Sequence, residues 1–148
     1  MHVVIKPEWL LCFVDGEGCF FVGINENRSM RHKIQILPEF TVVQHKPDVD
    51  ILYQIKDFFG CGVVRVNHGD RWAYRVRGHE SLIKKIVPFF DRYICRTEKQ
   101  QNCLLFREVI YIMERKEHLT QKGVDRITII KQEINRQLPR PESKEPKI

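Results

Sequence analysis

The stretch LLCFVDGEGCF, Leu10–Phe20, sets two carboxylates, Asp15 and Glu17, between apolar residues and two glycines. The apolar run Trp9–Val14 is expected to be buried, and a carboxylate beside it is costly unless something pairs with it. Two chemistries fit: the acids cap and turn the backbone, or they hold a metal ion. A second set of polar candidates recurs at alternate positions further on: Asn25, then Gln35, Glu39 and Thr41, then Arg65 and Asn67, then Arg71, Arg75 and Arg77. Arg, Asn and Gln have the fork and amide geometry that reads guanine and adenine edges in a DNA major groove. The competing reading of this set is plain solvation, since antiparallel sheets often leave one face in water. A face exposed only to water is more usually rich in Lys and Glu.

These residues need elements to position them. Pro7 suits the first turn of a helix, and Glu8 favours its positive end. A short helix over 8–14 follows, stopped near Gly16 or Gly18. The period then changes to two. Phe20, Val22 and Ile24 alternate with Cys19, Phe21, Gly23 and Asn25; Ile34, Ile36, Phe40 and Val42 alternate with Lys33, Gln35, Leu37, Glu39 and Thr41. Both runs read as strands with one packed face. Pro38 cannot donate to a ladder, so its strand is expected to bulge or to lie at an edge there. Residues 48–59 read as a helix closed by Gly60, with Ile51, Leu52, Ile55, Phe58 and Phe59 on one face. A second hairpin follows, with Val64 and Val66 inward, a turn at His68-Gly69-Asp70, and Trp72, Tyr74 and Val76 inward. Helices are expected over 81–90, 98–116 and 120–137. The Pro-rich, charged segment 139–148 is expected to be a disordered tail.

A chain of 148 residues with 43% hydrophobic and 30% charged residues fits one globular domain, here 1–138. Its net charge of +6 and pI near 9.2 suit a polyanionic partner. The five cysteines include no CxxC pair and read as reduced thiols in a reducing compartment. No apolar run approaches the ~20 residues of a membrane span, and no signal-peptide pattern opens the chain.

LLCFVDGEG resembles the LAGLIDADG motif of homing endonucleases, through Leu10, Phe13, Val14, Asp15, Gly16, Glu17 and Gly18. FTVVQHKPDVDILYQIKDFFGCG is similar to that family's strand, Gln-containing turn and second helix. YRVRGHESLIKKIVPFFDRYICRTEKQQNCLLF is similar to its fourth strand, next helix and the basic segment beyond. One motif in a short chain resembles the homodimeric branch. The resemblance implies an α+β fold of order αββαββα, a four-stranded antiparallel DNA-binding sheet, and C-terminal helices. It implies double-stranded DNA and a second copy of the chain as partners, no membrane, and an organellar home, chloroplast or mitochondrion. The activity implied is site-specific double-strand cleavage at a long near-palindromic target. An intron maturase and a catalytically silent DNA-binding protein are the alternatives, and retention of Glu17 argues against the silent one.

The resemblance also distributes roles. Two motif helices at a dyad bring two Glu17 carboxylates together, and like charges so close need a divalent cation. Glu17, with Gly16 beside it, is the implied metal position. Mg2+ is the implied ion, with Mn2+ a substitute and Ca2+ binding without efficient cleavage. Asp15 is implied to cap or bond backbone at the helix ends. Gln44 matches a water-positioning residue, and Lys99 or Arg96 a basic residue near the scissile phosphate, with Lys99 favoured. The implied DNA surface is Phe21, Gly23, Asn25, Asn27, Gln35, Leu37, Glu39, Thr41, Arg65, Asn67, Arg71, Arg75 and Arg77. The implied dimer interface is Trp9, Leu11, Cys12 and Asp15. Leu11 and Cys12 stand where the family's motif helix carries small residues, which widens or rotates that packing.

Overall fold

A computed structural model describes residues 4–29 and 33–137. The expected tail therefore lies outside the described residues. The order is α1 (Pro7–Glu17), β1 (Gly18–Glu26), β2 (Ile34–His45), α2 (Val49–Phe59), β3 (Val63–His68) and β4 (Arg71–Val76). There follow α3 (His79–Ser81), a π-helical stretch (Leu82–Ile86), α4 (Val87–Arg92), α5 (Lys99–Glu114) and α6 (Gln121–Gln137). This is the expected α+β order αββαββα with two further helices. Among the described residues no helix is long and apolar enough to cross a membrane.

Four antiparallel strands lie in the order β1-β2-β4-β3. Registers Phe20↔Phe40 and Phe40↔Val76 align the apolar positions of three strands on one face. Helices cover that face. Phe20 of β1 meets Phe40 of β2 at 5.3 Å, Phe90 of α4 at 5.2 Å and Phe106 of α5 at 5.2 Å between ring centroids. Such offset and edge-on aromatic contacts add to the area they bury. Leu10, Val14, Leu52, Ile55, Leu82, Ile86 and Ile110 complete the core, each at 0% exposure.

Local chemistry sets the element ends. Gly60 closes α2 at φ 68°, a left-handed conformation glycine adopts at little cost, and its N–H bonds Lys56 O at 2.8 Å. The π-helical stretch stands just before Pro88, which lacks the N–H a regular α-ladder needs. Pro38 is buried opposite Val22, and β1–β2 run in unbroken register through it. Of the two arrangements expected at Pro38, the edge is the one found, because β4 pairs only with Phe40–His45.

The second hairpin departs from expectation in three ways. His68 belongs to β3 and pairs with Arg71, leaving Gly69-Asp70 as the turn. The register shifts between Val66 and His68, so Asn67 is the extra residue of an irregularity rather than a regular member of the outer face. Val66, expected inward, is 56% exposed. It sits on the terminal strand of the sheet, beyond the area the helices cover.

Candidate functional site

Glu17 is the last residue of α1 and is exposed. Gly18 turns the chain directly into β1. A Cβ at Gly18 would lie 2.6 Å from Val14 Cγ1 and 2.8 Å from Val14 O, so only glycine permits so tight a passage from helix to strand. The position is unfavourable for a structural carboxylate, since the carbonyl end of a helix is partially negative and the last turn of α1 has no basic residue. The compensating cation comes from α5: Lys99 Nζ donates to the Gly18 carbonyl.

Asp15 faces a different environment. Its carboxylate accepts from Arg96 N at 2.8 Å, Thr97 N at 3.3 Å and Thr97 Oγ1 at 2.6 Å. Partial burial pushes its carboxyl up, but the Thr97 hydroxyl, the two backbone N–H groups and the charge of Lys99 together outweigh this and hold it below the usual carboxylate range. Thr97 Oγ1 also accepts from Lys99 N at 3.2 Å. A chain of bonds thus runs from Asp15 through Thr97 to Lys99 and back to Gly18. It pins the start of α5 to the end of α1. Arg96 is held in this junction by its backbone, and its residue is exposed.

Gln44 pairs with Trp72 on β2, two residues past Val42, the partner of Gly18. It is half-buried at the end of the sheet nearest the end of α1. Among the described residues no group of three or more His, Cys, Asp or Glu side chains converges on one point.

The outer sheet face is built from the alternate strand positions. In register across it stand Phe21↔Glu39, Gly23↔Leu37 and Asn25↔Gln35 on β1–β2, and Thr41↔Arg75 and His45↔Arg71 on β2–β4. Arg65 stands opposite Ala73. Asn27 lies just past β1 and its amide reaches Gln35 Oε1 at 3.5 Å. The Thr41 hydroxyl is spent within the sheet, donating to Tyr74 O at 2.9 Å. Arg77 follows the last residue of β4. Glu39 binds both neighbours: Arg77 Nε donates to its Oε2 at 3.0 Å, and Arg75 Nε lies 2.9 Å from its Oε1 as an ion pair without hydrogen-bond alignment.

On α1, Leu10 and Val14 are fully buried, while Trp9 is 48% exposed and Cys12 and Gly16 are exposed. Trp9 stacks on Phe13 at 5.1 Å. The four residues expected at a dimer interface separate here. Trp9 and Cys12 face outward, Leu11 packs in part against the core, and the Asp15 oxygens turn to Arg96 and Thr97. Burial pushes the Cys95 thiol up to about 11 and the Cys103 thiol up to about 12, as for unreactive core sulfurs.

Three further surface residues stand outside the expected set. His45 continues the β2 alternation one step past Gln44 and was within reach of that pattern. His68, expected in a turn, is the last residue of β3. Lys131 of α6 reaches over the Phe21 ring, its Nζ 5.8 Å from the centroid, which only the packing of α6 on β1 reveals.

A family model described as LAGLIDADG endonuclease matches residues 10–110. The chain belongs to the LAGLIDADG endonuclease family. Among LAGLIDADG-like solved structures, the homing endonuclease I-TnaI superposes with a TM-score of 0.87 at 47% identity over 90% of both chains. I-SmaMI, bound to an uncleaved DNA target in the presence of calcium ions, gives 0.87 at 36% identity, over 91% of this chain and 46% of its own. An uncharacterised 50.9 kDa protein in ND4 intron 1 of Podospora anserina is 31% identical over 119 residues, 79% of this chain. This chain spans about a quarter of the length of that relative, which matches over 26% of its own length.

Proposed function

We propose that this LAGLIDADG chain is one half of a two-fold, divalent-metal-dependent endonuclease, which as a homodimer cuts both strands of a long, near-palindromic DNA site. One observation carries the reading. The exposed Glu17 ends a helix whose outward face is apolar, and that helix runs directly into a basic sheet surface. Two such helices meeting at a dyad set two carboxylates at one point, between two DNA-reading faces. The two Glu17 side chains, with Gly16 beside each, hold the metal. Mg2+ or Mn2+ fits this oxygen donor set, and when bound it activates water and stabilises the leaving oxygen. The neighbour crystallised with uncleaved DNA and calcium ions supports Ca2+ as an ion that binds without efficient cutting.

Gln44 orients water, and Lys99 stands at the end of α1 with its charge directed toward the scissile phosphate; Arg96 contributes exposed positive charge nearby. Arg65, Arg71, Arg75 and Arg77 read base edges or hold phosphates. The intron-encoded relatives support an organellar intron as the source, and the free cysteines suit a reducing compartment.

The test starts from a pool of duplexes carrying a randomised tract. The wild type, in Ca2+, is expected to enrich a near-palindrome. A plasmid carrying that site should be cut in Mg2+ and not in EDTA, and Glu17→Gln should bind it without cutting. Full cutting by Glu17→Gln, or any cutting in EDTA, overturns the metal assignment. Failure to enrich any sequence overturns the DNA reading itself.

A further inference from the structure

We propose that Glu39 is a specificity-determining residue of the sheet surface, which sets Arg75 and Arg77 for base reading and withholds them from the phosphate backbone. The inference rests on the DNA-binding reading above. Among the described strand residues of the outer face, Glu39 is the sole acid, on a surface that carries Arg65, Arg71, Arg75 and Arg77. A carboxylate in such a place repels DNA, so plain affinity does not account for it.

The geometry points to a positioning role. In the β2–β4 register Glu39 stands abreast of Arg77 and diagonal to Arg75. It engages both through Nε, at 3.0 Å and 2.9 Å. The terminal nitrogens of each guanidinium are the groups that make a two-bond contact to guanine O6 and N7. Arg75 and Arg77 line, with Arg65 and Ser81, an open recess of ≈ 280 Å³ that such an edge could enter. Glu39 has the aromatic ring of Phe21 as its cross-strand neighbour, and its side chain is only 14% exposed. An exposed ion pair contributes little, but this one is screened from water on one side and shared by two cations. A guanidinium held by Nε loses rotational freedom before binding, and half-neutralised it attracts phosphate less.

The experiment repeats the randomised-duplex selection in Ca2+ with Glu39→Gln, Arg75→Ala and Arg77→Ala, each checked for folding by its thermal transition. Glu39→Gln is expected to lose base preference at the positions that Arg75→Ala or Arg77→Ala also loses, and to keep the rest of the site. Its affinity for a scrambled duplex is expected to rise several-fold, with a log–log salt slope steeper by about 0.9 for each arginine released to a phosphate. An enriched site as sharp as that of the wild type, with the same salt slope, overturns the proposal. Loss at a position neither arginine variant touches also overturns it, because Glu39 then reads a base directly. Should Glu39→Gln not fold, Glu39→Asp, which keeps the charge but shortens its reach, is expected to lose preference at those same positions while keeping the wild-type salt slope. Unchanged preference in it overturns the proposal equally. If the wild type itself enriches no sequence, the DNA reading falls first and takes this inference with it.

Discussion

Asp15 and Glu17 stand two residues apart on one helix and meet opposite surroundings. Asp15 has three donors on its oxygens, all from residues more than eighty positions away along the chain. Glu17 is exposed at a negative helix end. The first has the bonds of a stability residue, and the second is the acid that the proposed metal chemistry uses. Asp15→Asn keeps the shape but turns an NH2 toward N–H donors, and it should cost about 1–3 kcal/mol in urea unfolding at neutral pH. The sign of the pH dependence follows from the lowered carboxyl. A carboxyl lower in the folded than in the unfolded chain stabilises fully above the unfolded value near 4 and loses that contribution as pH falls through the folded value. The gap between wild type and Asp15→Asn should thus be constant from about pH 5 to 7 and shrink in acid below about pH 4. A gap that widens in acid would contradict the assignment.

At the scale of elements, the passage from α1 to β1 is what aims the site. Gly18 is its narrowest point, with Val14 side chain and carbonyl in the space a methyl group would need. Because one of those atoms is backbone, the strain of Gly18→Ala cannot be relieved by a rotamer change alone. The variant should lose about 1–3 kcal/mol of stability. It should also move the end of α1, and with it Glu17 and the carbonyl that Lys99 engages. Cleavage, measured on the selected plasmid site at a temperature where the variant remains folded, should therefore fall more than the residual folded fraction explains. Wild-type stability and wild-type cutting in Gly18→Ala would show that the junction yields more readily than its contacts imply.

At the scale of the molecule, the helices cover one sheet face and leave the other, arginine-bearing face open, while α1 presents Trp9, Cys12 and Gly16 outward. An aromatic pair stacked at 5.1 Å on an exposed helix face gains little from water and much from a second such helix. Trp9→Glu should leave the melting temperature of the dilute chain within a few degrees, since Trp9 is 48% exposed. It should convert a dimer to a monomer in sedimentation at micromolar concentration, and cleavage of the selected site should fall with it. A wild type that sediments as a monomer even on DNA, or a Trp9→Glu variant that still dimerises, would remove α1 as the interface.

The residues themselves determined the elements and their faces wherever the signal is local. Period-two alternation placed Phe20, Val22, Phe40, Val42, Tyr74 and Val76 on the buried face, and Gly60 marked the end of α2, because pleat and left-handed turn are written within a few residues. The motif at 10–18 identified the family and singled out Glu17 for the same reason. Tertiary structure alone decided what depends on register, strand order and contacts across long sequence separations. Strand order left Val66 in solvent, and one register shift drew Asn67 out of its expected series. Register brought Glu39 abreast of Arg77 and diagonal to Arg75. Packing of α5 against the end of α1 joined Asp15 to Thr97, and so placed the Lys99 ammonium on the Gly18 carbonyl, a meeting that separation along the chain does not announce. A side chain's neighbours in sequence set its conformation, but its partners are set by which elements pack, and that is a property of the whole fold.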